Sequence, residues 1–443
     1  MIDLAYYASV FMLGFRGIEY LGVKIADLFI LLVFFLFLYR VMKGDRIRGD
    51  KLFSFFYILI VISVLLSLLH VDDFTFAKLD PFRYLLVGMF SVATIHYVDS
   101  KRRLENTFRV LVLSGLIAAV ISLLVFSLWI SGFEGVAPFL HRIETGETEG
   151  RVQALFYDPN HFGGFLILPV FSLLYFILSS LNEGNRAKTL LSYSGTILLG
   201  AALVTTGSRS AVGSVVVGWG AVAAFYTARS VRRGLRNDGA KSLLKVIILS
   251  SLIVALILLW FGYSEVEFIT RLAGAKNDST GTGPRSRGPR HGSVKTGLQS
   301  RLQLWHAALL AFQDSPIIGV GTSDFIHEYP TLAKEHGFDP TIVNFPHNTF
   351  LDLLAELGLI GFLSSLGLLS YLYFIIYRMI RGSPDPVFAL TLFSLLLAQS
   401  ADMFFISMFH GRRLWLVFAL ITAAGLLVVK SSSSGSGRLG DLG

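Results

Sequence analysis

Runs of apolar residues long enough to cross about 30 Å of hydrocarbon recur along almost the whole chain, as in DLFILLVFFLFLY, LLSYSGTILLGAALVTT and LIVALILLWF. Inside a bilayer no water satisfies backbone N–H and C=O groups, so a spanning segment must close its own hydrogen bonds as a helix or join a closed barrel. A barrel would be written in short segments of alternating hydrophobicity; these runs are continuously apolar and end at charged turns. Charged residues make up 15% of the 443 residues and hydrophobic residues 53%, with a mean hydropathy of +0.65. A soluble domain carries about a quarter charged residues. The expected fold class is an all-α polytopic membrane protein.

Twelve candidate spans follow, at about 3–19, 23–41, 52–70, 84–98, 108–131, 162–181, 188–206, 210–228, 244–263, 347–377, 386–406 and 413–430. They divide the chain into nine helices within 1–263, a long connection over 264–346, three helices within 347–430, and a Ser/Gly-rich flexible tail over 431–443. The connections after spans two, four, six, eight and ten hold the basic clusters, among them Arg40 to Lys51, Lys101 to Arg109 and Arg229 to Lys245. Cytoplasmic loops collect Lys and Arg, which makes that side, and with it both termini, cytoplasmic. The opposite loops carry acids: Asp72, Asp73 and Asp80 in one, Glu134, Glu144, Glu147 and Glu149 in another. This asymmetry accounts for the net charge of +8 without a nucleic-acid partner. The chain has no cysteine, which excludes disulfides, thiolate nucleophiles and Cys metal sites. The N-terminus lacks the basic region and small-residue cleavage site of a removable leader. Within the long connection, the Gly/Ser/Pro/Arg-rich insert at 276–295 reads as irregular. After it, LQSRLQLWHAALLAFQ reads as a surface helix with Leu302, Trp305, Leu309 and Phe312 on one face, and SDFIHEYPTLAKEHG as a second.

On the acid-bearing side, positive-inside statistics do not ask for cations, yet several stand there. In VTTGSRSAVG, Gly207 suits a helix stop and Ser208 an N-cap, which puts Arg209 in the first turn of the next helix. A guanidinium there opposes the helix dipole, but the two positive features together make an anion site. An arginine gripping lipid headgroups is the alternative. In GRVQALFYDPNHFGG, Arg151 precedes the sixth span, Asp158 and Pro159 read as N-cap and N1, and Asn160 and His161 fall in the first turn. The predicted surface helix supplies Arg301 and His306. In PHNTFLDLLAELGLIG, Pro346 begins the tenth span with His347 and Asn348 in its first turn, where the positive helix end favours a neutral imidazole. Asp352 and Glu356 continue the Asn348 face; they can orient the histidine, balance arginines, or pair with Arg or Lys on another helix, the last being the simplest reading for Glu356. No H-E-x-x-H, Asp-x-Asp or Walker pattern is present, so no metal site is expected. Several arginines and one histidine suit a substrate with a di-anionic leaving group: guanidiniums hold the departing charge and the histidine takes a proton from an attacking hydroxyl.

The stretches DPNHFG, TGSRSA, SRLQLWHAAL followed by SPIIGVGTSDF, and PHNTFLDLLAELGLIG resemble, in this order and spacing, the O-antigen ligase and polymerase family of polytopic, GT-C-like glycosyltransferases. The motifs cover about residues 150–365, and the layout of twelve spans with a long loop before the last three extends the resemblance along the chain. The resemblance implies transfer of a glycan from undecaprenyl pyrophosphate, on the periplasmic side of the bacterial inner membrane, to the lipid A–core oligosaccharide by a ligase or to another lipid-linked repeat unit by a polymerase. It implies a metal-independent, inverting displacement with no cofactor. By motif position His347 would be the base, Arg209 would hold the pyrophosphate, Arg301 would be the functional arginine of the long loop and Arg151 a further phosphate contact. Asn160, His161, Ser208, Trp305 and Asn348 complete the expected substrate-binding set. Only one loop is large enough to be a domain, and the 132–161 connection is short and acid-rich; both favour a ligase over a polymerase. A lipid-linked glycan flippase is the reading from another class, but it would need polar groups through the bilayer depth. Apart from donor, acceptor and membrane lipid the sequence calls for no partner; it does not set the oligomeric state, and a monomer is compatible with it.

Overall fold

A computed structural model describes residues 1–15, 19–20, 23–71, 77, 79–142, 148–233, 245–257, 259–260, 297–340, 342, 344–382 and 386–435. The chain is an all-α polytopic membrane protein, with short antiparallel hairpins pairing Glu19–Tyr20 with Val23–Lys24 and Leu140–Arg142 with Thr148–Val152. The helices, in order, are α1 (Ile2–Phe11, continued by a 3-10 turn Met12–Phe15), α2 (Ile25–Met42), α3 (Lys51–Ser67), α4 (Asp80–Tyr97), α5 (Lys101–Ile130), α6 (Pro159–Glu183), α7 (Arg186–Thr205) and α8 (Arg209–Arg233). Then follow α9 (Lys245–Ile257), α10 (Gly297–Asp314), α11 (Phe325–His336), α12 (Thr349–Gly382), α13 (Val387–Met403) and α14 (Arg412–Gly435). Among these, eight are long and apolar enough to cross a membrane, three shorter ones are apolar, and α4 belongs to neither group. Without the surface helices α10 and α11 they occupy the twelve places the sequence assigns to spans. The 276–295 insert and most of the tail lie outside the described residues.

Helix ends follow local chemistry. Asp50 caps α3 by accepting from Leu52 N and Phe53 N, Ser100 caps α5 by accepting from Arg103 N, and Asn185 caps α7 by accepting from Lys188 N. Gly184, at φ +71°, closes α6 in the left-handed conformation that lacks a Cβ penalty. The apolar pattern then sorts the helices by depth. In α6 83% of the spanning window is buried, against 22% in α2, so α6 is the central post and α2 faces lipid. Phe162, Phe165 and Phe171 of α6 are among the largest fully buried side chains.

Contacts between helix ends separate the two faces of the bundle. At one end Tyr97 donates to Asp3, Arg103 lies 3.0 Å from Asp99, Lys245 donates to Asn182, and Tyr371 donates to Asp50. At the other end Arg412 pairs with Asp27, Arg413 donates to the His161 carbonyl, and Thr349 donates to the Ile406 carbonyl. The N-termini of α2, α4, α6, α8, α12 and α14 therefore share this second end.

The long connection docks there. Leu304, Ala307, Ala308 and Ala311 of α10 form a small second core with Phe325, Tyr329 and Leu332 of α11 and Ala355 of α12. The apolar face expected from the sequence is differently used: Leu302 and Leu309 remain 52% and 42% exposed. Leu304 and the alanines 307, 308 and 311 are buried instead, because alanines let α10 approach its neighbours closely.

One feature of α12 was not expected. The helix is interrupted at Gly358, whose φ of 60° and ψ of −163° are non-helical. The segment after α10 fills the break: Leu359 N donates to Pro316 O, Ile360 N to Ile317 O, Val320 N to Ala355 O and Gly321 N to Glu356 O. An irregular backbone at this depth is tolerated because each exposed donor finds a protein partner. Glycine is required on both sides of the seam. A Cβ on Gly358 would stand 2.4 Å from the Ile317 backbone, and one on Gly319 2.2 Å from that of Glu356.

Candidate functional site

The α7–α8 turn is built from the TTGSRS stretch. Thr206 accepts from Ser208 N at 3.1 Å, Gly207 turns the chain at φ +62°, Ser208 is fully buried with its hydroxyl 3.2 Å from that of Ser210, and Arg209 opens α8 exposed. Arg151, on the second strand of the 140–152 hairpin, crosses this turn. Its Nε donates to Thr206 O at 3.1 Å and its Nη2 to Asn160 Oδ1 at 2.9 Å. A Cβ on Gly207 would lie 2.9 Å from Arg151 Nε, so the glycine makes room for the guanidinium as well as the turn. Asp158 caps α6 as expected, accepting from Asn160 N at 2.7 Å and His161 N at 3.1 Å, with Pro159 behind it.

α10 brings Arg301 into the charge field of Arg151 and Arg209; burial first, and then those two guanidiniums, push its pKa down. One turn later along α10, Trp305 Nε1 donates to Pro346 O at 2.9 Å and so anchors the chain beside His347. The start of α12 differs from the sequence expectation. The helix begins at Thr349, Asn348 is its N-cap, and His347 lies outside it with φ +51°. The reason is that Asn348 Oδ1 accepts from Phe350 N at 3.0 Å and Leu351 N at 3.2 Å, which fixes the cap one residue past His347. The imidazole pKa is still lowered, by burial first and the Arg301 charge second, against an opposing pull from Asp158. Arg151, Arg209, Arg301, Asp158 and His347 thus share one locale although they span some 200 residues of sequence. Three like charges held together disfavour one another, and an anion among them relieves that cost.

Beside this cluster lies a cavity of 330 Å³ walled by the N-terminal parts of α4 and α12, the Thr322–Ser323 turn and the segment 407–412. His161 and Phe345 line it; Arg151, Arg209, Arg301 and His347 do not. Its carboxylates latch the long connection to the bundle. Asp80 Oδ1 pairs with Arg83 at 2.6 Å, Asp80 Oδ2 accepts from the hydroxyls of Thr322 and Ser323 at 2.6 Å each, and Glu356 Oε2 accepts from Ser323 N at 2.9 Å. Glu356 therefore bonds a backbone amide, not the Arg or Lys expected from sequence; the break two residues later brings the 316–323 chain within its reach.

Arg412 and Arg413 went unnoticed in the sequence although HGRRLW sets two more cations before the last span on the same side. Arg413 is 6% exposed, donates to His161 O at 2.5 Å, lies 3.3 Å from Asp402 Oδ2, and rests where a Cβ on Gly164 would meet its Nη2 at 2.3 Å. It ties α13, α14 and the first turn of α6 together. Among the described residues no group of three His, Cys, Asp or Glu side chains is arranged to hold a metal ion.

Residues 194–366 match a family model described as O-antigen ligase. The match takes in the 206–210 turn, Arg301, Trp305, His347 and the interrupted half of α12, and leaves Arg151 and the 158–161 turn outside. No curated protein matches the chain.

Proposed function

We propose that this multi-pass membrane protein, whose residues 194–366 match a family model described as O-antigen ligase, carries out ligase- or polymerase-type glycosyl transfer and moves a glycan from undecaprenyl pyrophosphate to the lipid A–core oligosaccharide. The observation that carries this reading is the grouping of Arg151 and Arg209 with Arg301, whose charge in turn reaches His347, at the end of the bundle where helix N-termini converge. The three guanidiniums receive the donor diphosphate. Arg209 and Arg301 hold it as it leaves, and Arg151, fixed to Thr206 and Asn160, shapes the anion's near wall. His347, kept neutral by burial and by Arg301, takes the proton from the acceptor hydroxyl. The hydroxyl oxygen bonds the anomeric carbon from the side opposite the diphosphate, the carbon–oxygen bond to phosphate breaks, and undecaprenyl pyrophosphate departs with inversion. Guanidiniums do the electrostatic work that a divalent ion would do elsewhere.

On this reading the arginine-bearing end is periplasmic, both termini are cytoplasmic, and the membrane is the bacterial inner membrane. The basic clusters that follow the even-numbered spans support that orientation. The 132–161 connection, a compact hairpin folded over the α7–α8 turn, supports a ligase over a polymerase, because the 264–346 connection remains the one loop of domain size. The test supplies purified protein in nanodiscs with the lipid-linked donor and either lipid A–core or a second lipid-linked repeat. Glycosylated lipid A–core is the expected product, lost in His347→Ala. Extension of the lipid-linked repeat assigns a polymerase instead, and undiminished transfer by His347→Ala removes His347 as the base.

A further inference from the structure

Arg413 and Asp402 stand where charge is costly. Both belong to apolar helices of the bundle, α14 and α13, with Arg413 6% and Asp402 0% exposed. Ionisable groups inside a membrane bundle are expensive, and a cation in the first turn of α14 also opposes the helix dipole. Stability does not explain the pair, because apolar residues of similar size often hold a core as well as a buried ion pair does, or better. Neither residue takes part in the transfer chemistry above, and both lie outside the 194–366 match.

Their use is visible in what they touch. Arg413 Nη1 donates to His161 O, in the first turn of α6, at 2.5 Å. Its Nη2 lies 3.3 Å from Asp402 Oδ2 and 3.1 Å from Met408 Sδ. The Ser210 hydroxyl, in the first turn of α8, reaches Asp402. One pair thus contacts both turns on which the arginine cluster is built. Asn160, beside His161, accepts from Arg151 Nη2 at 2.9 Å, and Arg209 is the neighbour of Ser210. The two turns also meet directly: a Cβ on Gly163 would stand 3.0 Å from the Cβ atoms of Ser208 and Ala211. Gln399, also on α13, adds a contact from Nε2 to Gly164 O at 3.4 Å. A planar guanidinium can bond a carbonyl and a carboxylate at once, which a single ammonium does poorly.

We propose that Arg413 and Asp402 are positioning residues, a buried strut that braces the first turns of α6 and α8 from within the bundle and so sets the separation of the Arg151 and Arg209 guanidiniums. The proposal rests on the reading of those two arginines as diphosphate contacts. It makes the anion site depend on two helices that contribute no group to it.

Inorganic pyrophosphate, titrated by calorimetry into the nanodisc-embedded protein without divalent ions, tests it alongside the thermal midpoint and the donor KM. Arg413→Met leaves Asp402 an unpaired buried charge and should lower both midpoint and affinity. The decisive variant combines Asp402→Asn with Arg413→Met. It removes both charges at nearly constant volume and should recover the midpoint, while His161 O still lacks its donor. Its pyrophosphate affinity should stay at least fivefold below the wild type, and its donor KM should rise by more than kcat falls. Gly164→Ala puts a Cβ 2.3 Å from Arg413 Nη2, displacing the guanidinium with no change of charge and with a better helix former. It should weaken pyrophosphate binding at least threefold, and it decides alone if the double variant stays unstable. Affinity that recovers together with the midpoint in the double variant makes the pair a structural cross-link and overturns the proposal. So do wild-type affinity in Gly164→Ala and absence of pyrophosphate binding by the wild type. Failure of the ligase reading is separately visible: pyrophosphate then binds and weakens as stated, but the wild type makes no glycosylated lipid A–core.

Discussion

Replacing Gly319 by alanine tests the seam between the long connection and the interrupted α12, on which the placement of both the cavity and the base depends. Gly319 has φ +78°, and a Cβ there would lie 2.2 Å from the carbonyl carbon and oxygen of Glu356. Gly337 is the matched control, with φ +69° and nothing within 4 Å of its would-be Cβ. Left-handed backbone costs an L-residue about 1–2 kcal/mol at either site. Gly319→Ala adds overpacking, about 1–3 kcal/mol. The upper part of that range applies, because the obstacle is main chain pinned by Val320 N to Ala355 O at 2.9 Å and Gly321 N to Glu356 O at 3.3 Å. The expected losses are then about 1–2 kcal/mol for Gly337→Ala and about 3–5 kcal/mol for Gly319→Ala. Unfolding in detergent is irreversible, so the assay is the apparent midpoint at a fixed scan rate. A domain of 150–250 residues moves by about 2–4 °C per kcal/mol, and a longer chain by less, about 1–2 °C. Gly319→Ala should therefore fall about 3–10 °C and Gly337→Ala about 1–4 °C. The informative quantity is the gap between them. Equal drops would mean that the backbones at 319 and 356 are not in contact, and the seam would have to be abandoned.

If His347 is the base, as proposed, its lowered pKa sets a pH dependence. A base works unprotonated, and burial together with Arg301 lowers its pKa, so the acidic limb of kcat/KM should fall below the ordinary histidine value of about 6.5 and move upward in the residual activity of Arg301→Gln; a limb at or above 6.5 in the wild type contradicts this. Arg209→Lys should lower transfer at least about tenfold, because an ammonium cannot reproduce the planar fork, and wild-type rates in that variant would remove Arg209 from the diphosphate site. Asn348→Ala should cost about 1 kcal/mol of stability through the lost cap and depress kcat more than KM by loosening the turn that holds His347; a normal kcat uncouples cap and base. EDTA should leave transfer unchanged, and strong inhibition restored by a divalent ion would reinstate a metal.

What could be read from the sequence was what depends on periodicity and local chemistry. The spans follow from apolar length, Asp158 as a cap from its place before Pro159, and the Gly207 stop from the need for positive φ. The grouping of Arg151, Arg209, Arg301 and His347 was legible only as a shared face, since hydropathy sorts residues by side and not by distance. Three things were hidden. Asn348 displaced His347 from the helix because a side-chain oxygen competes for the first free amides, and several residues in PHNT could have won that contest. The break at Gly358 gives no sequence signal, because one glycine inside LAELGLIG is compatible with an unbroken helix; only the arrival of Ile317 and Gly319 makes the kink necessary. Arg413 was overlooked because a cation at a span boundary is commonplace, and its burial against Asp402 and the His161 carbonyl depends on how three helices close around Gly164.

The distribution of acids at the convergent helix ends gives a physical reason for where positive potential collects. Aligned peptide dipoles leave about half a positive charge at each N-terminus. The first turns of α2, α4 and α12 carry Asp27, Asp80 and Asp352, which offset that charge. Asp158 does the same at the N-cap of α6, whereas the first turns of α8 and α14 carry no acid and add Arg209, Arg412 and Arg413 instead. Asp27 neutralises Arg412 and Asp402 neutralises Arg413. The positive potential left over is then concentrated at the start of α8, where Arg151 and Arg209 stand and Arg301 arrives from α10. The starts of α4 and α12 wall the cavity, where the carboxylates Asp80, Asp352 and Glu356 stand among Lys24, Arg83, His410 and Arg412. On the glycosyl-transfer reading proposed above, the diphosphate of a lipid-linked glycan would seek the positive end at the start of α8, which would bring its anomeric carbon toward His347.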